Sequence, residues 1–330
     1  FLNPLPPSAS MLKASVRLAL LSFSLAVWEG PQPGLSSGVR QVPSLPGHGA
    51  ACSNSSGYSV VMRVKYRWTP VQVGRMGRLI EENPDMDVII AVNQATPELA
   101  SISQEEATAV EELHRRFPGH VITYDDNDLI AEFPTIADAK PGFGKISASR
   151  WARNYHDECN FVVLKKYQER LGRQWKGCGV WVVEQDVEYT GKFGELFRKY
   201  TGRADMIGYH HFTHNFSDMI HGVRCSTPAF RSKFVVENRA HGYEEHMSYF
   251  SRALLKTFSS EMHEGRHCHS EIGSPTMALL NGFSYQDFDQ ADVDIENYSY
   301  KAKGDWKQMK NHVIALRSSG RKLLVHPCKY

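Results

Sequence analysis

Four apolar residues, Val180 to Val183, are followed directly by two carboxylates, Glu184 and Asp186. A run without a polar face predicts a strand buried on both sides, as in a parallel sheet covered by helices. Gly191 breaks this pattern, and a helical repeat of apolar residues starts at Phe193. Ligands of open α/β sheets bind outside the carboxyl ends of the strands. The two acids are therefore expected at a ligand site, with capping or solvated acids as the structural alternative.

The same alternation of strand and helix extends over the middle of the chain. Apolar runs predict further strands over residues 59–66, 87–92, 120–124 and 204–209. Helical spacing predicts helices over residues 73–80, 103–117, 149–171 and 193–200. We therefore predict an α/β fold with a mostly parallel, doubly wound sheet. After about residue 222 the pattern is less regular, and two helices, 244–258 and 305–317, are expected to cap the sheet.

The N-terminal region predicts export. Residues 1–28 contain a leader before Met11, a basic stretch with Lys13 and Arg17, and an apolar core over residues 18–27. A spanning helix needs about 20 residues, so a cleaved signal peptide is favoured, with membrane association only if this segment is retained. Residues 29–57 are rich in Pro, Gly and Ser and predict a linker or stem. Residues 58–330 are then expected to form one domain.

Sequons and cysteines agree with a luminal protein. Glycosylation sequons begin at Asn54, Asn215 and Asn297. The six cysteines include no CxxC pair, so scattered disulfides are expected, with buried thiols as the alternative. A net charge of +2 does not favour a nucleic-acid partner. We expect the protein in the Golgi or ER lumen, or secreted.

The acidic segment carries a resemblance to a known family. WVVEQDVEYTGKFGELFRKY followed by ADMIGY is similar to the acidic metal motif of glycosyltransferases with the GT-A fold, and LLVHPCK is similar to their histidine-containing tail. The pattern covers about Ser59 to Tyr209. One departure is that Glu184 stands where the motif usually has Asp. The resemblance implies a GT-A-like catalytic domain that moves a sugar from a nucleotide sugar to a glycan or glycoprotein acceptor.

The resemblance also implies a metal site. It makes Asp186 and His326 metal ligands and places Glu184 toward the nucleotide. Independently of the family, Mn²⁺ or Mg²⁺ prefers carboxylate and phosphate oxygens and neutralises a departing diphosphate. Glu245, with Glu244 beside it, resembles the catalytic carboxylate of these enzymes. Favourable placement of the two acids at a helix start is the alternative.

Other polar residues are weaker candidates for nucleotide contacts. Asp125 and Asp126 end a predicted strand at the same edge of the sheet, although their sequence also suits a turn. Lys145 and Arg150 belong to a glycine-containing loop before a helix, where a phosphate can bind, with a solvated loop as the alternative. Further candidates for a distal metal ligand or a general base are His246, His267, His269 and Glu271.

Two other functions compete with a transferase. One is a GT-A-like protein that binds glycans without catalysis. The other is a zinc-dependent hydrolase using the histidines at positions 210, 211, 214 and 221. No HExxH or comparable frame accompanies these histidines. A zinc site is therefore the less favoured hypothesis.

Overall fold

The computed structural model describes residues 59–64, 70–93, 104–138, 155–172, 177–295, 297 and 306–328. The chain divides into two compact units, residues 1–41 and 42–330, and all the described residues belong to the second. The predicted signal peptide, the linker, Lys145 and Arg150 lie outside the described residues. Among the described helices, none is long and apolar enough to cross a bilayer.

The centre of the domain is a seven-stranded sheet in the order β3-β2-β1-β4-β7-β6-β8. Its strands are β1 Ser59–Val64, β2 Asp87–Asn93, β3 Val121–Tyr124, β4 Gly179–Glu184, β6 Met206–Asn215, β7 Arg239–Ser251 and β8 Tyr285–Asp287. The first four in spatial order are parallel, β7 is antiparallel to both of its neighbours, and β8 is parallel to β6. Strands β5 Glu188–Tyr189 and β9 Leu324–Val325 form a separate antiparallel pair.

Helices cover both faces of the sheet. They are α1 Pro70–Glu82, α2 Gln104–Arg116, α3 Asp126–Glu132, α4 His156–Leu171, α5 Phe193–Tyr200, α6 Ile220–Cys225, α7 Pro228–Phe234, α8 Arg252–His263, α9 Ser270–Leu280 and α10 Trp306–Ser318. Alternate residues of β4 belong to two different cores. Val180 and Val182 pack with α4 and α8, whereas Trp181 and Val183 pack with α1 and α5. The predicted α/β fold with a mostly parallel, doubly wound sheet is confirmed.

The predicted helix over residues 244–258 is wrong in its first half. Residues up to Ser251 continue β7, and α8 begins only at Arg252, where the Ser251 side chain accepts a hydrogen bond from the Leu254 amide. The helical spacing of Met247, Leu254 and Phe258 was misleading because a strand buried on both faces also carries apolar residues at such intervals. Glu244 and Glu245 are therefore strand residues and not helix-start acids.

Trp181 anchors the core on the α1 and α5 side of the sheet. It is fully buried, and its ring stacks on Phe197 at a centroid distance of 4.9 Å and on Phe288 at 6.1 Å. Its indole nitrogen donates to the Thr201 hydroxyl at 3.0 Å. The aromatic residue predicted for the buried strand thus fixes β4, the strand that presents the acids.

We expect Trp181→Ala to lower the free energy of unfolding by about 3–5 kcal/mol, because it removes this packing and leaves a cavity. Ile314→Ala is the control: Ile314 is 50% exposed on α10, and a surface change of this kind stays within about 0.5 kcal/mol. Denaturant unfolding followed by fluorescence and circular dichroism measures both. Equal losses for the two variants would contradict the role given to Trp181.

Candidate metal and catalytic site

The two acids of the buried strand emerge together at a tight turn. Glu184 is the last residue of β4, and its carbonyl accepts a hydrogen bond from the Val187 amide at 3.1 Å. This turn leaves Glu184 and Asp186 buried, with residue exposures of 8% and 7%. Burying an ionised carboxylate is costly unless a cation or several donors compensate for the lost water. The position therefore requires a positively charged or strongly donating partner.

His326 lies over both acids. Its Nε2 is 3.5 Å from an Asp186 oxygen and 3.7 Å from a Glu184 oxygen. These distances are too long for good hydrogen bonds. They match the separation of two ligands of one ion, because metal bonds of about 2.1 Å place neighbouring ligand atoms roughly 3–4 Å apart. His326 is thus spaced from each acid as one metal ligand is from another, and the ligand atoms of Glu184, His246 and His326 all lie within 4.8 Å of one another. The metal-ligand roles of Asp186 and His326 stay predictions.

A clamp around Arg75 holds the C-terminal segment against the acidic turn. The guanidinium of Arg75, on α1, pairs with Glu188 at 3.1 Å and donates to the Cys328 carbonyl at 2.6 Å. The Cys328 amide donates to the Asp186 carbonyl at 2.7 Å. The pairing of β5 with β9 also holds the C-terminal segment in this position, with Glu188 opposite Val325. His326 reaches the acids because these contacts join two segments that are far apart in sequence.

His246 adds a second imidazole to the site. The antiparallel register of β4 and β7 ends with Val183 opposite Met247, and one further step brings His246 beside Glu184. Its Nδ1 lies 2.9 Å from a Glu184 oxygen, and its ring stacks on His326 at a centroid distance of 3.6 Å. Burial lowers the pKa of His246, but the hydrogen bond and the charge of Glu184 outweigh burial, so the pKa is raised above its ordinary value.

A wide irregularity in β7 places Glu245 beside these residues. Ile207 of β6 faces Tyr249 of β7, whereas Tyr209 faces Glu244. Two steps along β6 therefore correspond to five steps along β7. Bulges of this kind redirect side chains and are common next to active sites. Without the irregularity, neighbouring side chains of β7 would point strictly to opposite faces of the sheet.

Glu245 is buried at 3% exposure and contacts His156 of α4 through the imidazole Nδ1. Single ligand atoms of His156, Glu184 and Glu245 all lie within 4.8 Å of one another. Glu244 is more accessible, with a side-chain exposure of 23%, and one of its oxygens is 3.3 Å from His210 Nδ1. Of the two adjacent acids, Glu245 is the one that the fold brings to the acidic turn.

The other candidates have different positions. The Asp125 carboxylate accepts hydrogen bonds from the amides of Asn127 and Asp128 and caps α3, in whose first turn Asp126 lies. The expectation that these acids belong to a turn explains the hydrogen bonds of the Asp125 carboxylate. Strand β3 is also three positions from β4 in the sheet, which corresponds to about 14 Å. A nucleotide contact from these acids stays a prediction.

The four residues proposed as alternative bases or distal metal ligands occupy different places in the fold. His267 is fully buried and pairs with Glu158 at 2.9 Å in the core. His269 is also buried, and its ring is 4.0 Å from the more exposed Glu271. The imidazole of His267 pairs with Glu158 and therefore does not neutralise the acids of the turn. His246 contacts the acidic turn through Glu184, and the charge of Glu271 contributes to the raised pKa of His246.

The predicted zinc cluster does not assemble among the described side chains. His210, His211 and His214 lie on β6, and His211 pairs with His241 of β7 across 3.1 Å. The groups of three possible ligands found in the described part of the chain use other residues. Burial, followed by the neighbouring His211, lowers the pKa of His241 to about 4. The side chain of His221 lies outside the described residues.

Sequence reasoning did not single out His156 or Arg75. The signal for His156 was a polar first helical turn, His-Asp-Glu-Cys, that the structure buries completely. A helix that begins with several buried polar residues points to partners in the interior, since such groups are costly without them. Arg75 gave no comparable signal, because arginine on an amphipathic helix is ordinary.

The chain has similarity to several solved structures. It is similar to the galactosyltransferase LgtC with 13% identity and a TM-score of 0.36, covering 72% of this chain and 74% of that chain. It is similar to mouse xyloside xylosyltransferase 1 with 10% identity and a TM-score of 0.36, covering 82% and 96%. It is similar to the mannosyltransferase Ktr4p from S. cerevisiae with 9% identity and a TM-score of 0.34, covering 71% of this chain and 68% of that chain.

Each of these similar structures is a glycosyltransferase. No protein-family model and no curated protein matches the chain. Identities and TM-scores this low do not identify a reaction. The function is therefore inferred from the side chains of the site.

We expect His241 to be neutral down to about pH 4 in the folded protein, compared with an ordinary pKa of 6.5. The unfolded chain binds a proton at this histidine between pH 6.5 and 4 and the folded chain does not, so this residue makes stability fall as pH falls through that window. NMR titration of the ring protons measures the pKa. In His241→Asn, this part of the pH dependence should disappear, and a ring titrating near pH 6.5 in the parent protein would contradict the expectation.

Proposed function

We propose that this protein is a metal-dependent glycosyltransferase that uses a nucleotide sugar as donor. The observation that carries the proposal is the position of His326, whose Nε2 lies 3.5 Å from an Asp186 oxygen and 3.7 Å from a Glu184 oxygen, and we take these three residues as the ligands. The ligand atoms of Glu184, His246 and His326 also lie within 4.8 Å of one another. The site is at the carboxyl end of β4, where open α/β sheets bind their ligands. The acidic motif that resembles the family lies at the same place.

Mn²⁺ or Mg²⁺ is the cation that suits this site. Two carboxylates match either ion, and the imidazole of His326 favours Mn²⁺, because Mg²⁺ prefers an all-oxygen environment. When bound, the cation neutralises charge that develops on the departing diphosphate. The chain's own contribution is to hold the three ligands in fixed positions through β4, the acidic turn and the Arg75 clamp.

Glu245 is the carboxylate that we assign to the reacting sugar, with Glu244 as the more exposed alternative. Glycosyl transfer passes through a transition state with positive charge near the anomeric carbon, and a nearby carboxylate stabilises that charge. A carboxylate at this place also suits a general base for the acceptor hydroxyl. The acceptor is a glycan or glycoprotein in the secretory pathway, as supported by the signal-like start and the sequons.

Conservative amide substitutions test the metal site. We expect Asp186→Asn to lower turnover at least about 100-fold, which corresponds to about 2.7 kcal/mol of transition-state stabilisation. Glu184→Gln should weaken nucleotide binding with a smaller loss of turnover. Fold stability should stay equal or rise, because fewer like charges are buried together. Turnover with a panel of nucleotide sugars and thermal shift with UDP or GDP, each with Mn²⁺ or EDTA, measure these effects.

The control for this series is Asp218→Asn, an exposed acid beyond the end of β6. It should leave nucleotide affinity and turnover unchanged. If wild-type nucleotide affinity is insensitive to EDTA, the metal-dependent function is excluded. If nucleotide and metal bind but no donor is turned over, the catalytically inactive glycan-binding alternative is favoured.

The secretory assignment has its own test. Asn215 is exposed at the end of β6, followed by the exposed Ser217 of its sequon, so an N-glycan is sterically accommodated there. Expressed in a eukaryotic secretory system, the protein should lose mass on deglycosylation, and Asn215→Gln should remove one glycan. A product with unchanged mass after glycosidase treatment would contradict the luminal assignment.

A further inference from the structure

Two imidazoles serve the two buried glutamates of the site. His246 Nδ1 is 2.9 Å from Glu184, and His156 Nδ1 contacts Glu245 within hydrogen-bonding distance. His326 differs from both, since it lies 3.5 and 3.7 Å from the acidic turn. The first two distances are typical of hydrogen bonds and the last two of ligands that share an ion. His156 and His246 thus make hydrogen-bonding contacts that His326 does not make, although each also belongs to a group whose ligand atoms lie within 4.8 Å of one another: His156 with Glu184 and Glu245, and His246 with Glu184 and His326.

Glu245 is close enough to the acidic turn to become a metal ligand itself. Its ligand atom, that of Glu184 and that of His156 are all within 4.8 Å of one another. A carboxylate is a strong ligand for Mn²⁺, so a cation held by Glu184 and Asp186 attracts this third carboxylate. Such coordination would occupy the Glu245 oxygens and remove them from the sugar. A restraint on Glu245 is therefore needed for the role assigned to it.

The anchoring of α4 makes His156 a suitable restraint. His156 is the first residue of α4, and the next residue, Asp157, fixes the helix start to α9. The Asp157 amide donates to the Ser270 hydroxyl at 3.2 Å, and the Ser274 hydroxyl donates to the Asp157 carboxylate. The positive end of the helix dipole also lies at this terminus and favours a nearby carboxylate. His156 is thus held in place independently of any metal.

We propose that His156 is a positioning residue that holds Glu245 away from the metal and toward the sugar. The catalytic part of this inference rests on the proposed function, whereas its structural part concerns only metal coordination. Metal affinity is the readout that separates this role from a general structural one. A residue that only stabilises the fold does not raise metal affinity when it is removed.

The test measures Mn²⁺ affinity in the absence of nucleotide, by calorimetry and by electron paramagnetic resonance. His156→Ala releases Glu245, so Mn²⁺ should bind about three- to tenfold more tightly, since an added carboxylate ligand strengthens binding. His156→Asn should restore the wild-type affinity, because an asparagine amide donates from near the position of Nδ1. In the double variant His156→Ala/Glu245→Gln the increase should disappear.

A second measurement does not depend on the folding of the alanine variant. If Glu245 is kept off the metal in the wild type, Glu245→Gln should leave Mn²⁺ affinity within about twofold, while Asp186→Asn should weaken it strongly. For donors that are turned over, His156→Ala should lower kcat more than it raises KM, because Glu245 acts at the reacting centre. His263→Ala is the matched control, since His263 pairs with Glu132 at 3.3 Å on the surface.

An unchanged or reduced Mn²⁺ affinity in folded His156→Ala would overturn the proposal. So would a tenfold loss of Mn²⁺ affinity in Glu245→Gln, which would make Glu245 a ligand in the wild type. These outcomes differ from failure of the proposed function, in which no nucleotide sugar is turned over although Mn²⁺ binds. Increased affinity in His156→Ala, abolished by Glu245→Gln, would establish the restraint even in that case.

Discussion

The burial of three carboxylates at the carboxyl end of β4 is the constraint on which the site depends. Glu184, Asp186 and Glu245 are each less than a tenth exposed, and charges in the interior need compensation. Imidazoles from β7, α4 and the C-terminal segment lie around them. Under the proposed function, a divalent cation completes this balance, and the spacing between His326 and the acids suits it.

The fold assembles the compensating groups from distant parts of the sequence. The buried core around Trp181 fixes β4, and the irregularity in β7 redirects the residues that follow it. The Arg75 clamp ties the C-terminal segment to the acidic turn through Glu188 and Cys328. Together these three features determine which side chains meet at the site.

Distances assign different roles to similar side chains. His326 lies at 3.5 Å from an Asp186 oxygen, the spacing of two metal ligands, whereas His246 and His156 make hydrogen bonds to carboxylates. Supporting contacts of this kind orient the groups that they touch and are often as important as the ligands themselves. Under the proposed function, the site combines a cation position with one carboxylate, Glu245, that His156 keeps available for the sugar.

Most of the first four strands and their helices were predictable, because apolar runs and helical spacing depend only on local sequence. The same reasoning failed at residues 244–251, where a strand buried on both faces produced a helix-like pattern. The sequence also did not decide whether Asp125 belongs to a turn or contacts a nucleotide. In the structure, its carboxylate caps α3. Pattern alone does not distinguish such alternatives, since they differ in long-range neighbours.

The sequence by itself determined the α/β class, the position of the acids at the end of a buried strand, and the candidacy of His326. The first two features follow from hydrophobic periodicity and from the cost of burying charge, whereas the candidacy of His326 came from the resemblance of the C-terminal segment to the tail of a known family. Only the tertiary structure decided that Glu245 and not Glu244 faces the acidic turn, and that His156 contacts it. The physical reason is that side-chain direction in β7 depends on a three-residue change of register against β6, which is a property of strand pairing and not of local sequence.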